Sequence, residues 1–124
     1  MLQKNALVKA RKHIESLYDD TCDVIEFQEY KKANRATDFH EVTVLQEIPC
    51  RLSFSSLSPA QPTNTASNIA QAVKLFISPD VEIKEGSKLE VTHKGVITMY
   101  CSSGVPAIYE THQEIMLELF KGWS

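Results

Sequence analysis

The residues in this chain best suited to moving a proton near neutral pH are four histidines, His13, His40, His93 and His112, and two of them lie beside carboxylates, in His40-Glu41 and His112-Gln113-Glu114. Neighbours in an extended chain point to opposite faces, and alternate residues share one. His112 can therefore meet Glu114, whereas His40 cannot meet Glu41. A base oriented by a carboxylate is half of a nucleophilic site, and no evident nucleophile completes this one. The histidines form no HExxH and no paired-ligand spacing with a cysteine, so a zinc site is not indicated. Glu82, Glu85 and Glu90 fall on turns and strand exteriors and read as a solvated face. With four glycines in all, the chain has no GxGxxG, no phosphate loop and no GxSxG. The expectation is a protein that is not an enzyme and uses no cofactor or metal.

Cys22, Cys50 and Cys101 are odd in number, far apart and without a CxxC, which suits reduced thiols acting as small buried hydrophobes. The net charge of −3 argues against nucleic-acid binding by overall charge. One basic cluster, Lys9, Arg11, Lys12 and His13, reads as a solvated helix face, with a partner or phosphate contact as the alternative. Apolar runs are only a few residues long and the first ten residues show no signal-peptide core, so a cytoplasmic location and no membrane contact are expected. At 124 residues, with 43% hydrophobic and 23% charged side chains, the chain fits one domain with one core, 1–124.

The elements that must position these side chains follow from periodicity. Leu2, Ala6, Ala10, Ile14 and Leu17 recur at helical spacing, predicting an amphipathic helix over 2–17, within residues 1–18, that Tyr18-Asp19-Asp20-Thr21 ends as a turn. A first strand follows over Cys22–Tyr30, with Ile25 and Phe27 inward, then an exposed polar loop over Lys31–Asp38 and an extended segment over Phe39–Leu45. Ile48, Cys50, Leu52 and Phe54 alternate with Pro49, Arg51, Ser53 and Ser55; Pro49 lacks a donor and marks a strand start or an edge. Val73, Leu75 and Ile77, then Leu89 and Val91, then Val96 to Cys101 read as three strands of a β-meander, with Lys94-Gly95 as the tight turn of the second hairpin. The last apolar segment, Ile115 to Leu119, fits either a strand or a helix face, and a closing strand is favoured, with Gly122 and Trp123 at its exit. The fold class expected is mainly β: a small β-barrel of about six to seven strands with an N-terminal amphipathic helix and one long loop.

That loop is the most unusual segment. Between Leu52 and Val73 there is no charged residue, and residues 55–70 are dominated by hydroxyl, amide and proline side chains. Connections of this length are usually functional or disordered. The readings open from composition are a flexible surface loop or a segment that orders against copies of itself or a partner.

Three pieces resemble the head-completion or head–tail connector proteins of tailed phages, in particular the XkdH/YqbH-type proteins of Bacillus prophages: Ile48-Pro49-Cys50-Arg51-Leu52-Ser53, the run from Leu75 to Val91, and Ala107-Ile108-Tyr109-Glu110-Thr111-His112-Gln113-Glu114-Ile115. The resemblance covers about the last two thirds of the chain. It implies a β-barrel head-closure protein that forms a ring between portal or adaptor and tail, seals packaged DNA and docks the tail. It further implies subunits that stay monomeric until they meet their platform, and a passage from host cytoplasm to the neck of the virion.

In the resembled family a long loop enters the ring channel. Ser56, Leu57, Ser58, Pro59, Gln61, Pro62, Thr63, Asn64, Thr65 and Ser67 stand in that position here, and Tyr109, Thr111, His112, Gln113 and Glu114 are the expected partner contact. An uncharged loop in an acidic protein suits DNA that passes without specific binding, and copies meeting at a ring axis would not repel. The alternatives are a tail terminator or tail-completion protein, and a nucleic-acid-binding barrel. The latter would use Phe27, Tyr30, Phe39, Phe54, Phe76 and Tyr100 for stacking, but it lacks a basic stripe.

Overall fold

The computed structural model describes residues 4–34, 36–57 and 70–123. One helix, α1 (Lys4–Glu15), precedes seven strands: β1 (Asp20–Lys31), β2 (Thr37–Leu57), β3 (Ala70–Ile77), β4 (Lys88–His93), β5 (Val96–Ser102), β6 (Ala107–Ile108) and β7 (Gln113–Leu119). All pairings are antiparallel. The strand order is β3-β2-β1-β4-β5-β7-β6, and β3 also pairs with β7, so six strands close into a ring and β6 sits outside it on β7. The expected mainly β fold with an N-terminal helix is what forms.

Period-two alternation supplies the interior. Cys22 and Val24 from β1, Cys50 and Leu52 from β2, Leu75 and Ile77 from β3, Leu89 and Val91 from β4, Tyr100 from β5, and Ile115 and Leu117 from β7 make one buried cluster. Each strand of the ring turns alternate apolar residues to the same side, which removes them from water together. Cys22 and Cys50 are fully buried free thiols; contact with Cys22 and burial push the Cys50 thiol well above its ordinary value.

Several local expectations are corrected. The segment from Ala72 to Gly104 is not a meander. β4 and β5 form the expected hairpin across Lys94-Gly95, but β3 pairs with β2 and β7 and has no partner in β4. Period two marks strands but carries no information about which strands lie side by side. The two extended segments around 39–54 are one 21-residue strand, β2. It bends at two register shifts opposite Cys22–Ile25, where Glu47 takes φ 51° and donates its N–H to Asp23 Oδ1 at 2.8 Å. Pro49 is therefore inside a strand, at a place where β2 is paired to β1 but not yet to β3, whose ladder begins at Cys50. The missing donor costs nothing there.

Asp20 and Thr21 belong to β1 and not to a turn. Asp20 is 3% exposed and accepts the N–H of Leu52 at 2.9 Å, with His93 Nδ1 at 2.8 Å. Phe27, expected inward, is 41% exposed. β1 pairs with β4 only as far as Ile25, so Glu26–Lys31 and Thr37–Val42 form a two-stranded arm beyond the interior of the ring. Phe54 is also exposed, at the end of the ring beside Val73 and Leu117. Ser55, Ser56 and Leu57 extend β2, and Ala70 starts β3. Of the expected channel loop, Ser58, Pro59, Gln61, Pro62, Thr63, Asn64, Thr65 and Ser67 lie outside the described residues.

Candidate functional site

The same alternation that fills the interior sets a second series of side chains on the outer face. Register places Arg51 of β2 opposite Phe76 of β3, and Phe76 opposite Glu114 of β7; the next row is Ser53, Lys74 and Met116. Residues distant in sequence thus form a polar and aromatic patch across three adjacent strands.

Charge and stacking organise its centre. Glu114 Oε2 lies 2.9 Å from His112 Nε2, and Glu114 Oε1 lies 3.0 Å from Lys74 Nζ. Both partners favour the carboxylate, His112 first and then Lys74, and hold Glu114 below its ordinary range. His112 Nδ1 is 3.1 Å from the Thr111 hydroxyl, so both ring nitrogens are occupied. Tyr109 stacks on the imidazole at 4.9 Å, and Phe76 lies tilted beside it at 5.7 Å. The alternate-residue rule thus brings His112 to Glu114. His40 and Glu41 separate as expected: His40 packs edge-on against Tyr30, while Glu41 bonds Lys88 and Trp123.

Among the expected contact residues Tyr109 is half exposed, and His112 and Glu114 are half-buried. Gln113 is different. It is 2% exposed, and its amide donates to the carbonyls of Ser78 and Val81 at 2.8 and 2.6 Å. It ties β7 to the segment after β3 and holds the neighbouring residues in place.

Helix α1 leans over this patch. No α1 residue is buried; the half-buried positions Leu7, Ala10, Arg11, Ile14 and Glu15 face inward at helical spacing, and Leu17 just beyond α1 remains 49% exposed. The inward face keeps Ala10 and Ile14 of the expected stripe but takes Leu7 and Arg11 where Ala6 and Leu17 were expected. Arg11 explains the difference by bonding Ser78 Oγ at 3.0 Å and Asp80 Oδ2 at 2.9 Å. A cleft of 370 Å³ remains between Ile14, Leu17 and Tyr18 on the helix side and Arg51, Ser53, Phe76 and His112 on the sheet side. The Tyr18 hydroxyl oxygen is buried without a hydrogen-bond partner among the described residues, and burial raises its pKa.

Arg51 and Tyr18 were not singled out as site residues from the sequence, and Phe76 only as a stacking aromatic of the nucleic-acid-binding alternative. The alternation that put Arg51 on the outer face was legible; the β2–β3–β7 register that makes it a neighbour of Phe76 and Glu114 was not. A second aromatic group lies on the arm, where Phe27 stacks between Phe39 at 5.4 Å and Trp123 at 4.8 Å. The basic residues Lys9, Lys12 and His13 are exposed on α1. Among the described residues no group of three or more His, Cys, Asp and Glu is placed to hold a metal, and no helix is long and apolar enough to cross a membrane.

No family model matches the chain, and no curated protein does. Among solved structures it is similar to the phage-like element PBSX protein xkdH from Bacillus subtilis, with 11% identity and a TM-score of 0.47 over 81% of this chain and 93% of that one. A likeness of that degree is a resemblance in chain path, and no role is assigned from it.

Proposed function

We propose that the chain is a structural protein of a tailed-phage or prophage neck, acting in head closure as a ring between portal or adaptor and tail. The observation that carries this reading is the convergence of the three segments resembling connector proteins. Ile48–Ser53 lies in β2, the Leu75–Val91 run begins in β3, and Ala107–Ile115 spans β6 and the start of β7; the register sets Arg51, Phe76 and Glu114 in one row and Ala107 beside Glu114. Separated pieces of sequence thus build one continuous outer face, as a docking surface requires.

Two further features support it. β2 and β3 pair as far as Leu57 and Ala70, so the ring carries the two ends of the uncharged segment side by side. The patch chemistry, a saturated His112–Glu114–Lys74 network flanked by aromatics and Arg51, suits protein contact, since Arg and aromatic residues are enriched at interfaces. In this reading Tyr109, Thr111, His112 and Glu114 meet the partner, the segment 58–67 faces the channel, and DNA passes without specific attachment.

The test is sedimentation of the purified protein with and without DNA-filled, tail-less capsids. Pelleting in fixed ratio to capsids, with DNA retained, is the expected result. Association with free tails alone would move the protein to the tail side of the joint as a terminator. Association with neither, together with salt-dependent binding of single strands, would replace the reading with a nucleic-acid-binding barrel. Deletion of 58–67 is expected to leave a folded domain whose particles leak DNA or fail to join tails.

A further inference from the structure

We propose that the cleft between α1 and the outer face of β2, β3 and β7 is a seat for one apolar side chain with a carboxylate beside it, presented by an acidic segment of a partner polypeptide. This rests on the reading of that face as a partner contact.

Charge pairing around the cleft leaves one group over. Glu15 and Asp80 lie 3.8 and 2.9 Å from Arg11, and Glu114 is held by His112 and Lys74. Arg51 has no ion pair among the described residues, although it stands in the sheet directly opposite Phe76. A guanidinium recognises a carboxylate through two parallel donors, a geometry that a point charge does not select. The cleft therefore offers a cation at its mouth.

Three side chains make the apolar part of the wall. Ile14 and Leu17 come from the helix side and Phe76 from the sheet, and the 370 Å³ they help to enclose holds one aromatic or branched side chain with room for a neighbouring polar group. Ser53 adds a hydroxyl beside Arg51. The chemistry selected is an apolar body with a negative charge a few ångströms away.

A polypeptide fits better than a free small acid because the cleft is open. Small-molecule sites bury most of their ligand, whereas here Leu17 is 49% exposed and Arg51 is exposed. The rim also continues outward: His112 stacks on Tyr109, and the adjoining Ile108 is 68% exposed. A chain seated by one side chain would run on across these residues and cover them.

The test is amide-shift titration of the full chain, isotopically labelled, with three probes: acetyl-Phe-Asp-Leu-amide, the same peptide with Asn for Asp, and 3-phenylpropionate. The acidic peptide is expected to shift Leu17, Ser53, Phe76 and His112 saturably, and to bind at least about tenfold more weakly both when Asp becomes Asn and in Arg51→Met. Arg51→Met changes an exposed strand residue, and an unperturbed spectrum away from the cleft confirms its fold. No saturable shift at the cleft, or equal binding of the Asp and Asn peptides, overturns the proposal. Tighter binding of 3-phenylpropionate than of the acidic peptide overturns the polypeptide assignment. Capsid sedimentation separates the two readings: association with heads alongside silent titrations sinks only the seat, and binding of the acidic peptide without association sinks only the neck role.

Discussion

Lys88 Nζ lies 2.7 Å from Glu41 Oε2, joining residues 47 positions apart and fastening the arm strand β2 to the start of β4. Trp123 Nε1 donates to the same oxygen at 2.9 Å, and Lys88 also sits over the Phe120 ring at 5.2 Å. The two ends of the pair differ in burial: the Lys88 side chain is 9% exposed and that of Glu41 is 45%. Removing Glu41 leaves a nearly buried ammonium without its counter-charge, whereas removing the ammonium leaves a carboxylate that water can reach. Glu41→Ala is therefore expected to lower the melting temperature more than Lys88→Met, and the double variant to lose less than the sum of the two single losses. Thermal unfolding of the three variants decides it; equal and additive losses would show that the pair contributes nothing as a pair.

The ring closes where β3 meets β7. Leu75 and Ile115 face each other in that ladder, and both are fully buried. Leu75→Ala is expected to destabilise by about 2–5 kcal/mol through lost burial and the cavity left behind. Leu119→Ala, at a side chain 60% exposed, should cost less than about 0.5 kcal/mol. Urea midpoints of the two variants measure the contrast.

Stability should fall on acidification partly through Glu114. His112 and Lys74 hold its folded-state pKa below the ordinary value of 4.5. A depressed carboxyl contributes stability that is fully present above its unfolded-state pKa and is lost as pH falls through the folded-state value. Glu114→Gln should therefore be less stable than the parent near neutrality, and the difference should shrink progressively below pH 4.5. A gap that stays constant down to about pH 3 would remove the ion pairs as its cause.

Lys94 and Gly95 connect the paired residues His93 and Val96, both with positive φ, 50° and 82°. This is the backbone of a two-residue turn whose preferred sequence is Asn-Gly. Lys94→Asn should stabilise by up to about 1 kcal/mol, because the left-handed conformation is strained for lysine and tolerated by asparagine. Gly95→Ala should destabilise by about 1–2 kcal/mol although an added Cβ meets nothing within 4 Å, since the cost is conformational and not steric crowding. Denaturant unfolding of both variants tests the pair.

The strands and the buried face were legible because both are local: alternation predicts Cys50 and Leu52 inward with Arg51 and Ser53 outward without reference to any other strand. The closing strand at Ile115–Leu119 and the hairpin at Lys94-Gly95 were legible for the same reason. Strand neighbours were not, since contiguity in sequence suggested a meander where β3 instead returns to β2 and crosses to β7. Phe27 was misplaced because the interior takes Cys22 and Val24 from β1, one residue out of phase with the expected Ile25 and Phe27, and because the strand then outruns the ring. The alternate-residue rule foresaw the His112–Glu114 contact; Arg51 and Phe76 joined it only through register.

Gln113 shows what burial adds to a motif. Read in the run from Tyr109 to Glu114, it looks like one of five contact residues, yet its amide is spent on the carbonyls of Ser78 and Val81. Gln113→Leu keeps the size and removes both donors, leaving two carbonyls beneath α1's anchor at Ser78 and Asp80. The loss of two hydrogen bonds to partly buried acceptors is expected to cost about 1–2 kcal/mol, and backbone amides of 78–83 should exchange with solvent faster than those of β4 and β5. Tyr109→Ala, on an exposed ring, should leave that exchange unchanged. If the two variants loosened 78–83 equally, the amide would not be the tie; if neither did, the segment would be held by Arg11 and by the packing of Val81 and Ile83 against the core.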